Sequence, residues 1–121
     1  LQDQLVGVSH ECDFPASVRG LPHIVESTLP DGLPPHLIDH MVTETLASGG
    51  TLYRVREGRM RALAPDLLLT QDLCQVCAPS GNELSRVLPL LEKQPEILFF
   101  TPHTIEEIFA NITQLGAATE K

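Results

Sequence analysis

The residues able to do chemistry fall in two short segments, His10-Glu11-Cys12-Asp13 and Gln71-Asp72-Leu73-Cys74-Gln75-Val76-Cys77. Cys74-x-x-Cys77 together with His10-x-Cys12 supplies three thiols and an imidazole, the donors of a tetrahedral zinc site. Such soft donors also suit other transition metals. Only one CxxC pair is present, so the fold must bring in the other half of a metal site. The alternatives for the same residues are contacts to a bound ligand, and unliganded thiols packed as small hydrophobes. A CxxC after a strand also suits dithiol redox chemistry, where a helix N-terminus stabilises the thiolate. Here Pro79 and Gly81 delay the helix beyond Cys77 and leave both thiols in the loop. His10, Glu11 and Asp13 can serve as an acid–base set only if they face one way. In continued extension Glu11 points opposite to its neighbours. No Gly-x-Ser-x-Gly, Gly-x-Gly-x-x-Gly or Walker loop occurs, so the residues favour binding over catalysis and the chain reads as a non-enzyme. His36 and His40, one turn apart, read as solvent-facing histidines before they read as a two-histidine metal site.

Both segments follow apolar runs. Residues 5–9 (LVGVS), 67–70 (LLLT) and 96–100 (EILFF) have the continuous apolar character of strands covered on both faces. Residues 23–25 and 53–55 add two brief extended pieces. Pro35 opens a helix carrying Ile38, Met41, Val42, Thr45 and Leu46, and Gly49-Gly50 stops it. Residues 57–63 predict a short helix ended by Pro65. Residues 82–93 carry a helical stripe of Leu84, Val87, Leu88 and Leu91. A Thr104-x-x-Glu107 capping box starts the last helix, with Ile105, Ile108, Phe109, Ile112 and Leu115 on one face and Gly116 as its stop. Strands alternating with helices imply an α/β fold with a mainly parallel sheet flanked by helices. In such sheets ligands bind beyond the carboxyl ends of the strands. Both thiol-bearing segments sit there, and Thr101-Pro102-His103 is a third strand end of the same kind.

The chain of 121 residues suits one domain, and 42% hydrophobic residues provide for a core. A net charge of −8 argues against nucleic acid and anionic membranes as main partners. No apolar run approaches the ~20 residues that cross a bilayer. No signal peptide opens the sequence at Leu1. Three cysteines are a poor disulfide framework and fit a reducing compartment or a thiol-using site.

The segments LVGVSHECDFP, SGGTLY and LAPDLLLTQDLCQVCA resemble cobalamin-binding members of the iron-siderophore and cobalamin substrate-binding family, the class III periplasmic binding proteins that serve ABC importers. The likeness runs in order along nearly the whole chain. It implies a Rossmann-like three-layer lobe, the N-terminal one of a two-lobed protein joined by a rigid helix, with the chelate held in the cleft between lobes. On this reading residues 1–121 form a single lobe without the family's first strand–helix unit and its C-terminal lobe. Carried over by position, the cleft residues are His10, Glu11, Cys12, Asp13, Ser27, Thr28, Gln71, Asp72 and Cys74. The function implied is capture of a cobalamin-like corrinoid or an iron-siderophore chelate for an ABC permease, outside the cytoplasm and with no cofactor required. The alternative is a cytosolic corrinoid- or metal-binding protein that uses His10, Cys12, Cys74 and Cys77 on zinc or another transition metal; a thiol redox enzyme is the third reading. The better-known cobalamin binders stack aromatic residues of these loops on the corrin ring, whereas this chain has no Trp and a single Tyr, Tyr53.

Two structural expectations follow from the family's arrangement. With a family-type strand between the runs at Leu5 and Leu67, Cys12 and Cys74 stand about 10 Å apart, too far for a disulfide. Without that strand, both runs keep an unpaired edge that favours dimerisation or re-pairing.

Overall fold

The computed structural model describes residues 1–71 and 81–120. Its helices and strands form an α/β mix with two small sheets. In the first, β1 (Val8–Ser9) pairs parallel with β2 (His23–Ser27), and β2 pairs antiparallel with β3 (Tyr53–Val55). In the second, β4 (Leu67–Thr70) pairs parallel with β5 (Glu96–Phe99) in unbroken register. The expected mainly parallel sheet is therefore two parallel pairs plus one antiparallel strand. β1 and β4 do not pair, so each keeps one edge without a strand partner among the described residues.

The run at residues 5–9 contributes only two residues of strand. The Val8 amide donates to the carbonyl of Pro22, just before β2, and the His10 amide to that of Val25 within it, while Leu5 and Val6 stay exposed. Gly7 lets the chain pass close to its neighbours: a Cβ there would lie 2.9 Å from Leu63 Cδ1 and 3.0 Å from Ile24 Cγ2.

Helix α1 (Pro35–Ala47) begins with proline in its first turn and stops where Gly49 takes φ +71°. Helix α2 (Glu57–Leu63) ends before Pro65, with Ala64 in the left-handed conformation and its amide donating to the Met60 carbonyl. Helix α3 (Gly81–Val87) is shorter than the stripe through Leu91 predicts. Pro89 cannot donate to the helix ladder, and its ring opposes the carbonyl four residues back, so residues 88–90 tighten into a 3-10 turn. Helix α4 (Ile105–Ala118) has the full Thr104–Glu107 capping box. It runs through Gly116, the expected stop, and closes where the Thr119 hydroxyl and amide both donate to the Leu115 carbonyl.

One apolar cluster joins the two sheets. Val25 and Val55 meet Met60 of α2, Leu68 of β4, Leu84 and Val87 of α3, and Leu91, with Ile24, Tyr53, Leu88 and Ile97 packed against them. Burying each such side chain contributes about 1.5–3 kcal/mol, so this cluster holds the strands whose ends carry the polar loops. The two long helices lie outside it. Neither α1 nor α4 has a fully buried residue, and Ile105, Phe109 and Ile112 of the expected apolar face of α4 are largely exposed. Among the described residues no helix is long and apolar enough to cross a membrane.

Candidate functional site

The site starts where β1 stops. Ser9 is the last strand residue, and the chain turns at His10 and Glu11. The amide of Cys12 closes the turn by donating to the Ser9 carbonyl at 3.1 Å. The Ser9 hydroxyl and the Cys12 thiol lie 3.2 Å apart. The next residues are braced from the following 3-10 turn, where Arg19 Nε donates to the Asp13 carbonyl at 3.0 Å. This turn overrides the alternation expected of Glu11. Extension ends before it, so its carboxylate folds back to 3.2 Å from His10 Nε2 instead of pointing away.

His10 is held on three sides. Its amide donates to Val25 of β2, Glu11 holds Nε2, and the ring lies tilted against Tyr53 with centroids 5.8 Å apart. Its Nδ1 is buried and has no hydrogen-bond partner among the described residues. A buried polar atom left unpaired costs about 1–3 kcal/mol.

Tyr53 stands in register with Ser27, which brings the end of β2 into the same group. The Ser27 hydroxyl oxygen accepts from the Leu29 amide at 3.1 Å and keeps its own hydrogen for another acceptor. The Thr28 hydroxyl donates to the Thr51 carbonyl at 3.0 Å, and its amide donates to Leu52, so Thr28 can only accept further bonds through its side chain. His10 thus lies against Tyr53, the register partner of Ser27, at the carboxyl ends of two parallel strands, with Glu11, Cys12 and Asp13 following it in the turn and Thr28 following Ser27. Gln71 is exposed at the end of β4, in the other sheet. No hydrogen bond, ion pair or ring contact among the described residues joins it to the group. Asp72, Cys74 and Cys77 lie outside the described residues.

The metal expectation rests on both thiol-bearing loops. Among the described residues no three His, Cys, Asp or Glu side chains are arranged to hold a metal ion. The two described donors already have neighbours: Glu11 at His10 Nε2, and Ser9 at the free, exposed thiol of Cys12. A tetrahedral site would need Cys74 and Cys77 beside His10 and Cys12, and those two cysteines lie outside the described residues.

Two residues beyond the expected set join the site. Tyr53 supplies the ring against His10; its signal was its place opposite the end of β2, which only the antiparallel pairing reveals. Phe14 is 87% exposed in the loop directly after Asp13. An aromatic side chain before a proline in a strand-end loop was its signal in the sequence. It offers an open ring face beside the polar group.

Comparison with protein-family models, curated proteins and solved structures returns no match.

Proposed function

We propose that the chain is a Rossmann-like three-layer lobe of a substrate-binding protein that captures a cobalamin-like corrinoid or an iron-siderophore chelate and delivers it to an ABC permease, with no bond made or broken. The observation that carries this reading is the contact of His10 with Tyr53, the register partner of Ser27, where the polar turn 10–13 leaves a parallel strand end, the place at which open sheets of this class hold ligands. Exposed Phe14 supplies the stacking face that a large planar chelate uses. The Ser27 hydroxyl, which donates to no acceptor among the described residues, supplies a polar anchor. A resident zinc or other transition metal is a further proposal that depends on Cys74 and Cys77 closing the site.

A chelate of this size is buried to about 70–90% in its pocket. The reading therefore includes a second wall from a C-terminal lobe, and the chain alone is expected to bind weakly. Calorimetric titration of the two-lobed protein and of this chain with cyanocobalamin and with a ferric trihydroxamate tests it. Saturable binding to the two-lobed protein and much weaker binding to the chain is the expected result; equal affinities overturn the cleft arrangement.

One observation favours the second reading, a cytosolic corrinoid- or metal-handling protein. Cys12 is an exposed free thiol, a state that persists most readily in a reducing compartment. Cell fractionation with an antibody to the chain separates the two.

A further inference from the structure

Four of the eight lysines and arginines, Arg54, Arg56, Arg59 and Arg61, fall between positions 54 and 61 of a chain with net charge −8. The fold gathers three of them. β3 alternates, so Val55 enters the core while Arg54 and Arg56 share the opposite face. Arg54 stands in register with Glu26 of β2, and Arg56 forms an ion pair with the Glu26 carboxylate. Arg59, on α2, donates through Nη1 to the His23 carbonyl at 2.9 Å, which fixes its guanidinium at the start of β2. Arg54, Arg56, Glu57 and Arg59 line one open depression of about 550 Å³. Arg59 also lines a second one of about 600 Å³ with His23 and Leu63.

From this arrangement we infer that Arg54, Arg56 and Arg59 form a binding site for a phosphate-class oxyanion on the flank of the three-stranded sheet, separate from the strand-end loops. Neutralising Glu26 requires only Arg56. Among the described residues Arg54 has no ion-pair partner, and Arg59 bonds a backbone carbonyl alone, which leaves its other N–H groups open there. Glu26 and the rim carboxylate Glu57 together leave one guanidinium uncompensated. All three arginines act on the same point: the Glu26 carboxyl is held below its ordinary value first by the hydrogen bond from Arg56, with the charges of Arg56, Arg59 and Arg54 adding to it. Guanidinium forks match oxyanions through paired N–H donors. The depression is open to solvent and leaves room for an oxyanion beside the guanidinium groups. The overall charge of −8 disfavours a polynucleotide in that role.

The phosphate can be free or the head of a small phosphomonoester, and two probes distinguish these sources. Protein labelled with 15N is titrated with inorganic phosphate and with O-phosphoserine at constant ionic strength held by sodium chloride, following the arginine Nε resonances. Saturable shifts at Arg54 and Arg59 are expected with at least one probe; equal affinities assign the site to free phosphate, and tighter phosphoserine binding assigns it to a monoester. Arg54→Gln is expected to raise Kd about tenfold, a loss of about 1.4 kcal/mol. The charge-matched Arg86→Gln, on α3, is expected to leave Kd unchanged. Shifts that rise linearly without saturating, or an Arg54→Gln protein that binds like the parent, overturn the inference.

Discussion

Met60 is the one large side chain fully buried among the described residues, at 1% exposure, and it touches the core where the two sheets meet. Met60→Ala removes three heavy atoms from that position. At about 0.8 kcal/mol per buried methylene the lost transfer energy is about 2 kcal/mol. A hole of about 70 Å³ that does not collapse adds about 2 kcal/mol more, at ~24 cal/mol per Å³. The expected destabilisation is thus about 4 kcal/mol, falling toward 2 if α2 settles inward, against a total stability of about 5–15 kcal/mol for a domain. Urea unfolding followed by far-ultraviolet circular dichroism measures it, since the chain has no Trp and only one Tyr. The midpoint should drop while the slope stays constant, which marks a change of stability and not of the denatured state. Met60→Leu conserves volume and should cost less than about 1.5 kcal/mol. Leu69→Ala, at a position 46% exposed on β4, serves as the control and should cost about 1 kcal/mol or less. A Met60→Ala protein no less stable than Leu69→Ala would refute the shared core, and with it the rigid placing of the strand ends.

The site and the edges give further expectations. Phe14→Ala should leave the unfolding midpoint within about 0.5 kcal/mol of the parent, as an exposed substitution does, yet weaken chelate binding by calorimetry about tenfold; unchanged affinity removes Phe14 from the site. The Glu107 carboxyl is held below its ordinary value of 4.5, first by the His103 backbone amide and then by the Thr104 amide. Its contribution is therefore complete above pH 4.5 and fades as pH falls through the lower folded value. Thermal melts should show that loss in the parent and a flatter acid slope in Glu107→Gln, whose amide can still complete the capping box; equal slopes contradict the assignment. The unpartnered edges of β1 and β4 should make the isolated chain dimerise as concentration rises in light scattering, and a monomer at every concentration counts against open edges.

Much of the local structure was legible because it rests on local chemistry. Pro35, the Thr104–Glu107 box and the Leu67–Thr70 run act through neighbours in the chain, and each element formed where its residues indicate. The failures come from non-local pairing or from one residue overriding a pattern. The apolar stripe through Leu91 ignores Pro89, which breaks the helix. The run at residues 5–9 needs a neighbouring strand to form a ladder, and β2 meets it only from Val8 onward. The antiparallel entry of β3 has no signature in three residues, so Tyr53 opposite Ser27 and against His10 was invisible. The turn at His10 was hidden for the same reason: the backbone, held by Cys12 on Ser9, decides where Glu11 points. The arginines between 54 and 61 carried no reading in the sequence, because their convergence on Glu26 depends on the register of β2 with β3.

The most direct test of the proposed chelate capture is an absorbance titration of the proposed two-lobed protein with cyanocobalamin and, separately, with a ferric trihydroxamate, repeated with His10→Ala. The account predicts saturable one-to-one binding of one of them, weakened about tenfold or more by His10→Ala. Absence of saturable binding with both chelates, or the same affinity with His10→Ala, contradicts it.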